Sequence, residues 1–582
     1  MVSAQRSDAQ SFLSSSISSI LYIWKQHWPL IVGIPLVFFS YLVYKYVLRV
    51  RYFSKIRHYP GPPHGHWLFG QAPAVIASEP GMAQLAWHKK YGKVFRLAGV
   101  LPGQETMSFN SYTALKTILV DKPYEFPKPP FVRDLLGIAA GYGLLTLEGP
   151  DHQALRRFMN QAFSFRYLHE QFEQYYKPIN SLVEILETKT KDEKGQPVKE
   201  GVEMEVTKLI DSTLMDIICL TAFGYECDSL HNPKQPLAHS YHKLVNLQDG
   251  KNMLAIFLVL MLPFGPQLLR WAVKRQWLGT LMSTLDKRYG SGGKHDLDNM
   301  EEPPKFYTTT SIFIDSLNNV NRISAELLET KLAEARQLKQ ASGGEFAMNV
   351  SGGKVDVLSL LVRASLDDSS NYKMNSDMLQ AQMLTFLGAG HETTASGAAW
   401  AMWELACNKD IQQKLRKECQ ELILRNHNPG WQELNELKYL NAVVQETMRV
   451  RPPTPQTARI ASKDCTVDGT FVPKGTQLMI PIRAVNFDES IWGEDARQFK
   501  PERWFDLSDK YSSVFSVLTF IAGSHHCIGR NMAIQELKAI LCALISRFEF
   551  EPAQSEPREK SAITMKPDGG LRLRVKLLDM KD

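Results

Sequence analysis

Residues 520–530 read FIAGSHHCIGR, with two histidines and a cysteine side by side between glycines. Cys527 at the centre could be a zinc ligand, half of a disulfide, a nucleophile, a packed thiol or a ligand to something larger. Zinc needs three or four ligands at suitable spacing, and adjacent His525, His526 and Cys527 cannot all turn toward one ion. A nucleophile needs a base and an oxyanion site, and nothing in the chain identifies either. The helical pattern that follows places Cys527 at a helix N-terminus, where free amides and the dipole favour thiolate over thiol. Phe520 can shield the sulfur, and Gly523 and Gly529 allow close backbone approach to a planar group. Thiolate ligation of a haem iron fits this stretch best.

A second chemical stretch is GAGHETT, residues 388–394, inside an apolar run from about 377 to 407. Read as one helix, that run is roughly 46 Å long at 1.5 Å per residue. Glycine in mid-helix costs about 1 kcal/mol against alanine. Gly388 and Gly390 therefore mark either close approach of a flat ligand or tight helix packing. A third stretch, QETMR, carries Glu446 and Arg449 three residues apart on one helix face over about 434–450. Singly such a pair is worth little. Arg503 in FKPERW supplies a third charge, and a buried Glu–Arg–Arg set would pin distant segments together if fully hydrogen-bonded.

Elements must position these residues. The 582-residue chain balances 67 basic against 61 acidic side chains, a net +6 that is too mild to signal nucleic acid. Its 44% hydrophobic content and 31 prolines suit a folded protein. Seven scattered cysteines, without CxxC pairs, argue for a reducing compartment. Periodicity beyond residue 70 is mainly helical, with short extended stretches near 92–109, 457–482 and 561–578. After Cys527, the apolar positions Ile528, Met532, Leu537, Leu541, Leu544 and Ile545 give a further helix a buried face.

Ahead of this body, residues 28–44 (WPLIVGIPLVFFSYLVY) carry no charge, close to the lower limit of roughly 17–25 residues for a bilayer span. Lys45, Arg49, Arg51, Lys55 and Arg57 follow it, and only Arg6 and Lys25 precede it. That asymmetry predicts an uncleaved anchor with the C-terminal side in the cytosol. Residues 59–70, YPGPPHGHWLFG, read as a stiff connector. The organisation expected is therefore a segment 1–50 with the anchor, a connector 51–70 and a catalytic domain 71–582. The apolar run from Met253 to Pro266 is too short to span; it reads as a buried helix or a second membrane contact. The polar, Gly-rich stretches 289–304 and 341–354 read as surface loops.

With these motifs quoted, the chain resembles the cytochrome P-450 haem-thiolate monooxygenases over nearly everything after the anchor. The haem signature Phe-x-x-Gly-x-x-x-Cys-x-Gly falls on Phe520, Gly523, Cys527 and Gly529. The Glu-x-x-Arg pair falls on Glu446 and Arg449, the Pro-Glu-Arg segment ends on Arg503, and the oxygen-activating motif runs from Ala389 to Thr394. All occur in the family's order. The resemblance implies a mainly α fold with small β-sheets and Cys527 as the axial ligand of haem b. It implies propionate contacts from Arg156, Arg459, His525 and His152, the two histidines standing where the family more often has arginine and tryptophan. It implies that Thr393 and Glu392 handle dioxygen and protons.

No flavin or nicotinamide fingerprint appears, so the resemblance implies electrons from a membrane NADPH–cytochrome P-450 reductase, with cytochrome b5 as a further donor. GPDHQALRRFMNQAF, from residue 149, is similar to fungal endoplasmic-reticulum members that serve secondary metabolism or xenobiotic oxidation. Leu144, Phe386, Thr454 and Thr564 are expected at the pocket of a lipophilic substrate. A haem-thiolate isomerase or dehydratase, working without dioxygen, and a non-catalytic haem-binding membrane protein remain as alternatives.

Overall fold

A computed structural model describes residues 32–34, 36–67, 69–98, 103–247, 264–273, 275–289, 306–341, 356–367, 372–561 and 563–579. Most of the 253–266 run and most of the two polar stretches lie outside them. Helices dominate: α1 (Pro130–Ala140), α2 (Gly149–Met159), α3 (Tyr176–Lys189), α4 (Thr207–Phe223), α5 (Pro236–Asn246), α6 (Gly265–Val273) and α7 (Gln276–Tyr289). They continue with α8 (Phe306–Ala341), α9 (Ser376–Cys407), α10 (Lys409–Ile423), α11 (Lys438–Val450) and α12 (Arg530–Arg547). The largest apolar cluster joins α2, α3, α4, α9, α10, α11 and α12. Burial of such side chains, at about 1.5–3 kcal/mol each, is the main drive for this assembly.

The sheets are small, as the resemblance implies. One has the order β1 (Val94–Leu97), β2 (Thr106–Phe109), β7 (Gln477–Ile480), β4 (Thr457–Ile460), with only the β2–β7 pair parallel. The hairpin β5–β6 (Cys465–Val467, Thr470–Val472) precedes β7. Near the C-terminus lie β8 (Phe548–Pro552), β9 (Glu559–Ser561), β10 (Met565–Pro567) and β11 (Arg572–Leu577). Strand β11 pairs with β8 and with β3 (Val202–Glu205). The expected extended stretches match the strands between 94 and 109, 457 and 480, and 559 and 577. Strands β3 (VEME) and β8 (FEFEP) alternate apolar and acidic residues but lie outside the expected extended stretches, β8 following directly on the last residue of α12.

Helix α9 runs through the protein as expected, and its Asn375 N-cap side chain accepts from Met378 N. Its glycines serve packing. A Cβ on Gly390 would stand 2.8 Å from Ile218 Cδ1 of α4, and one on Gly388 would stand 2.8 Å from the Tyr241 hydroxyl and 2.9 Å from Ala140 Cβ. Of the two readings of GAGHETT, tight helix contact is the one these distances support.

A helix over Val32–Tyr52 is long and apolar enough to cross a membrane, and its apolar window is not buried. It extends past the expected end at Tyr44 through Lys45, Arg49 and Arg51. Its end docks on the body: Arg51 Nη2 donates to His66 O (2.8 Å), and Gly103 N to Tyr46 O (3.1 Å). The Pro/Gly stretch after it also packs closely, with Arg96 N donating to Pro60 O (2.8 Å). A Cβ on Gly61 would collide with the Arg96 carbonyl, so this stretch is seated on β1.

Candidate active site

The 520–530 loop is tied down on both sides. Cys527 N donates to Phe520 O (2.9 Å), Thr519 Oγ1 to Met448 O (2.6 Å), and Asn486 Nδ2 to both Arg449 O (3.0 Å) and Thr519 Oγ1 (3.1 Å). The Arg530 guanidinium lies over the Phe520 ring, 5.7 Å from its centroid. Gly523 has φ +71°, and a Cβ there would collide with the Leu119 carbonyl. That glycine is required by loop packing, whereas a Cβ on Gly529 would meet nothing within 4 Å.

Cys527 stands three residues before the first residue of α12, whose N-cap is Gly529. Its side chain is accessible to solvent, yet enough protein surrounds it that burial pushes the thiol pKa up. Both facts hold for a sulfur in a concave region inside the protein. The Gly529 amide, Arg156 and Arg530 act the other way without overcoming burial. The helix N-terminus alone therefore does not make the thiolate, contrary to the expectation from position; thiolate there needs a cation bound to the sulfur.

The neighbouring histidines diverge. The His526 ring lies 2.9 Å from Arg156 Nη2 and its carbonyl accepts from Arg156 Nη1 (2.7 Å). His525 turns the opposite way, with Nε2 3.1 Å from Glu148 Oε2, and stacks on His152 at 4.2 Å between centroids. His152 Nδ1 lies 3.0 Å from the Tyr124 hydroxyl. Lys128 Nζ completes the group, 3.2 Å from Glu148 Oε1. Among the described residues no group of three or more His, Cys, Asp or Glu side chains could hold a metal ion.

This cluster carries an excess of buried positive charge. Burial lowers Lys128 to about 8 and Arg459 to about 10. Burial also pushes His152 down to about 4, helped by His525 and Lys128, and lowers His525 against the pull of Glu148. For Glu148, burial acts upward, but the His525 hydrogen bond and the Lys128 charge outweigh it and bring the pKa down to about 2. Arg459, 3% exposed, donates only to Thr457 Oγ1 (3.2 Å) and Ala458 O (2.8 Å), with no carboxylate at ion-pair distance among the described residues. A buried guanidinium without a counter-charge is costly, and an anionic group from outside the chain offsets that cost.

On α9, Glu392 is buried and Thr393 partly so. Thr393 Oγ1 donates to Ala389 O (2.7 Å) and Thr394 Oγ1 to Gly390 O (3.0 Å). Phe386 lies seven residues before Thr393, two helical turns, and so shares its face. It meets Phe163 edge-on at 5.4 Å. Leu144 is close by, since its amide donates to Gln382 Oε1 (3.0 Å) one turn before Phe386. Thr454 is partly buried just after α11. Thr564 is buried, and its hydroxyl donates to Glu392 Oε1 (2.6 Å), which ties it to the acid of α9.

The charged triad forms. Glu446 and Arg449 are fully buried, with Arg449 Nε and Nη2 each 2.8 Å from a Glu446 oxygen and Arg503 Nε 2.8 Å from Oε1. Lys500 N (2.9 Å) and Trp504 Nε1 (3.0 Å) complete the carboxylate.

The family model described as "Cytochrome P450" matches residues 60–288 and 292–574. The chain belongs to the cytochrome P450 family. "Cytochrome P450 monooxygenase 205" of Postia placenta is 30% identical, over 88% of this chain and 90% of its own. "Cytochrome P450 monooxygenase sphH" of Aspergillus fumigatus is 28% identical, over 93% and 92%. "Cytochrome P450 monooxygenase ALT8" of Alternaria alternata is 26% identical, over 92% of each. The protein is thus a monooxygenase of this family, whose cofactor is a haem with a cysteine thiolate on its iron. The residues present fit that group: an accessible sulfur lies in one loop with His525, whose cluster holds an unneutralised buried guanidinium suited to carboxylate side arms.

Sequence reasoning named none of Tyr124, Lys128 or Glu148. Their types are common on surfaces and no motif marks them. Only Glu148, four residues before His152, stood near a position already singled out.

Proposed function

We propose that Cys527 is the axial ligand of the haem, that Arg156, Arg459, His152 and His525 receive its propionates, and that Glu392 and Thr393 serve oxygen activation. The observation that carries this reading is the meeting, around one loop, of the accessible Cys527 sulfur and the buried, unpaired Arg459. When bound, the group supplies two-electron activation of dioxygen, with one oxygen atom going to substrate and one to water.

The chain's own residues do the rest. Gly529 N–H points to the sulfur and moderates its basicity. Glu148 holds His525 and Lys128 and keeps the cation cluster from flying apart when no other anion is there. Thr393 presents a hydroxyl on the face of α9 that carries Phe386, and Glu392 stores the proton that this hydroxyl passes inward. Apolar Leu144 and Phe386 keep water from that face and suit a lipophilic substrate of terpenoid, sterol, fatty-acid or polycyclic type.

The electron source in this reading is an NADPH–cytochrome P450 reductase docking at exposed Arg157 and Arg530 beside the Cys527 loop. The apolar helix Val32–Tyr52 is the anchor, in the endoplasmic-reticulum membrane with the body in the cytosol. A place in fungal secondary metabolism or xenobiotic oxidation belongs to the same reading, in keeping with relatives that are fungal monooxygenases. Cys527→Ser tests the ligand: the red-shifted carbon-monoxide difference band is expected to vanish, while Cys407→Ser at an exposed thiol keeps it. A normal band in the Cys527 variant refutes the assignment.

A further inference from the structure

We propose that the lipophilic substrate carries a carboxylate, and that Arg270 of α6, laid on the ring of Tyr142, receives it at the edge of the pocket. The proposal narrows the substrate class of the site described above. It rests on the reading that a haem binds there and that Thr393 marks the oxygen-activating end of α9.

The geometry begins with residues 141–143, Gly-Tyr-Gly. Both glycines press on α9 where no side chain fits. A Cβ on Gly141 would stand 2.6 Å from Ala381 O and 2.9 Å from Leu384 Cβ. One on Gly143 would stand 2.6 Å from Thr385 Oγ1 and 2.7 Å from Gln382 Oε1. Thr385 Oγ1 donates to Ala140 O (2.8 Å) and Leu144 N to Gln382 Oε1 (3.0 Å), so the stretch is bonded to the helix at both ends. Tyr142, between the glycines, packs on α1 instead. A Cβ on Gly137 would collide with its ring, and its hydroxyl donates to Asp134 Oδ1 (3.3 Å). Burial pushes its pKa up to about 12, so it stays a phenol.

The Arg270 guanidinium lies over this ring, 5.1 Å from the centroid. A stacked guanidinium uses its face on the ring and keeps its edge of N–H donors, the fork that holds a carboxylate through two parallel bonds. Its Nε donates to Pro266 O (3.4 Å) within α6, and among the described residues no carboxylate lies at ion-pair distance from it. Asp134 is taken by the phenol. Exposed Arg133 stands one helical turn before Gly137, on the same side of α1. Two guanidinium groups against one carboxylate leave one positive charge here for an anion from outside the chain.

The rest of the ligand meets apolar walls. Leu144, two residues after Tyr142, is buried, and Phe386 meets Phe163 edge-on at 5.4 Å. From Thr385, which holds Ala140, to Thr393 is a run along α9 of about 12 Å at 1.5 Å per residue. An acid whose carboxylate sits at Arg270 therefore presents to Thr393 a carbon remote from the acid group. There one C–H bond becomes C–OH, the second atom of dioxygen leaves as water with two protons, and both electrons come from the reductase.

A phospholipid headgroup offers the same oxyanion chemistry, since α6 also exposes Leu268 and Trp271. Tyr142 draws the guanidinium toward α1 and the pocket edge, so substrate is the source assigned here.

The test uses the full-length haem protein in non-ionic detergent and reads the shift of the haem band with palmitic acid, methyl palmitate and hexadecanol as probes. Wild type is expected to bind the acid about tenfold tighter than the ester or the alcohol, the low end for a hydrogen bond to a charged group. Arg270→Gln should abolish that preference while ester affinity and the carbon-monoxide band stay unchanged. Tyr142→Leu should reduce it about threefold, the worth of a partly exposed cation–π contact. Turnover of the acid should give hydroxylation remote from the carboxyl group. If Arg270→Gln loses haem, Arg270→Met takes its place with the same expectations. Equal affinity for acid and ester in wild type, or no shift with any of the three while imidazole still shifts the band, would overturn the proposal. So would a preference that survives Arg270→Gln while binding to phosphatidylserine vesicles weakens, which would assign the guanidinium to headgroups. Absence of the imidazole shift itself would instead remove the haem reading, and this proposal with it.

Discussion

At the scale of single residues, the two threonines that follow Glu392 are not equivalent. Thr393 Oγ1 is partly buried on the face of α9 shared with Phe386, whereas Thr394 is buried and hydrogen-bonds the Glu536 carboxyl of α12. Thr394 therefore does not stand in for its neighbour. Thr393→Ala is expected to keep haem, the carbon-monoxide spectrum and substrate affinity while NADPH goes increasingly to peroxide or water. Product per NADPH should fall about 10²-fold, in the general acid–base range; wild-type yield with a confirmed substrate would contradict the role. Gly523 gives a second residue-scale expectation. Because its φ is +71° and the Leu119 carbonyl blocks any side chain, Gly523→Ala should lose haem and lower the unfolding midpoint, whereas Gly529→Ala should be far milder.

At the scale of elements, two buried carboxyl groups, Glu446 and Glu536, tie α9, α11 and α12 to the segments around them. The Glu446 carboxylate is satisfied only by the combination of Arg449, Arg503, Trp504 and the Lys500 amide, which join α11 to residues 500–504. Arg503→Ala leaves that carboxylate short of a partner and should cost about 3–5 kcal/mol in chemical denaturation, since breaking a buried ion pair is more damaging than never having made one. Glu536 gives a pH signature. Burial raises its pKa from the ordinary 4.5 to about 8, against a small opposing pull from the Thr394 hydroxyl. A folded-state value above the unfolded one means the folded chain binds more protons, so stability is greatest below about 4.5 and declines until about 8. Glu536→Gln should flatten the unfolding midpoint over that interval; an unchanged slope would place the ionisation elsewhere.

At the scale of the whole molecule, the long apolar helix ahead of the body is the separable part. Removing residues 1–50 deletes most of Val32–Tyr52 but leaves the docked stretch from Ile56, which is 1% exposed, through Gly61 on β1. The truncated protein is expected to leave the tightly bound membrane fraction and still give the carbon-monoxide band. Peripheral attachment should remain through exposed Phe264, Leu268, Trp271 and Trp277 on and beside α6 and α7. Loss of haem on truncation would show the helix to be part of the fold, through contacts such as Tyr46 O to Gly103 N.

What the chain determined by itself was whatever depends on near neighbours in sequence. The spacing from Phe520 to Gly529, the Glu446–Arg449 pair, the unbroken apolar run of α9 and the charge step after the N-terminal span were legible because helical period, loop geometry and membrane topology act over a few residues. The class of reaction followed from them. Tertiary structure alone decided which groups meet across hundreds of residues. Nothing local told that Thr564 and Lys566 face Glu392, or that Glu148 bridges Lys128 and His525. Nor did sequence reveal that Gly390 yields to Ile218 and not to a ligand, or that burial outweighs the helix N-terminus at Cys527. Burial and long-range charge depend on the sum of everything packed around a group, and that sum exists only once the chain has folded.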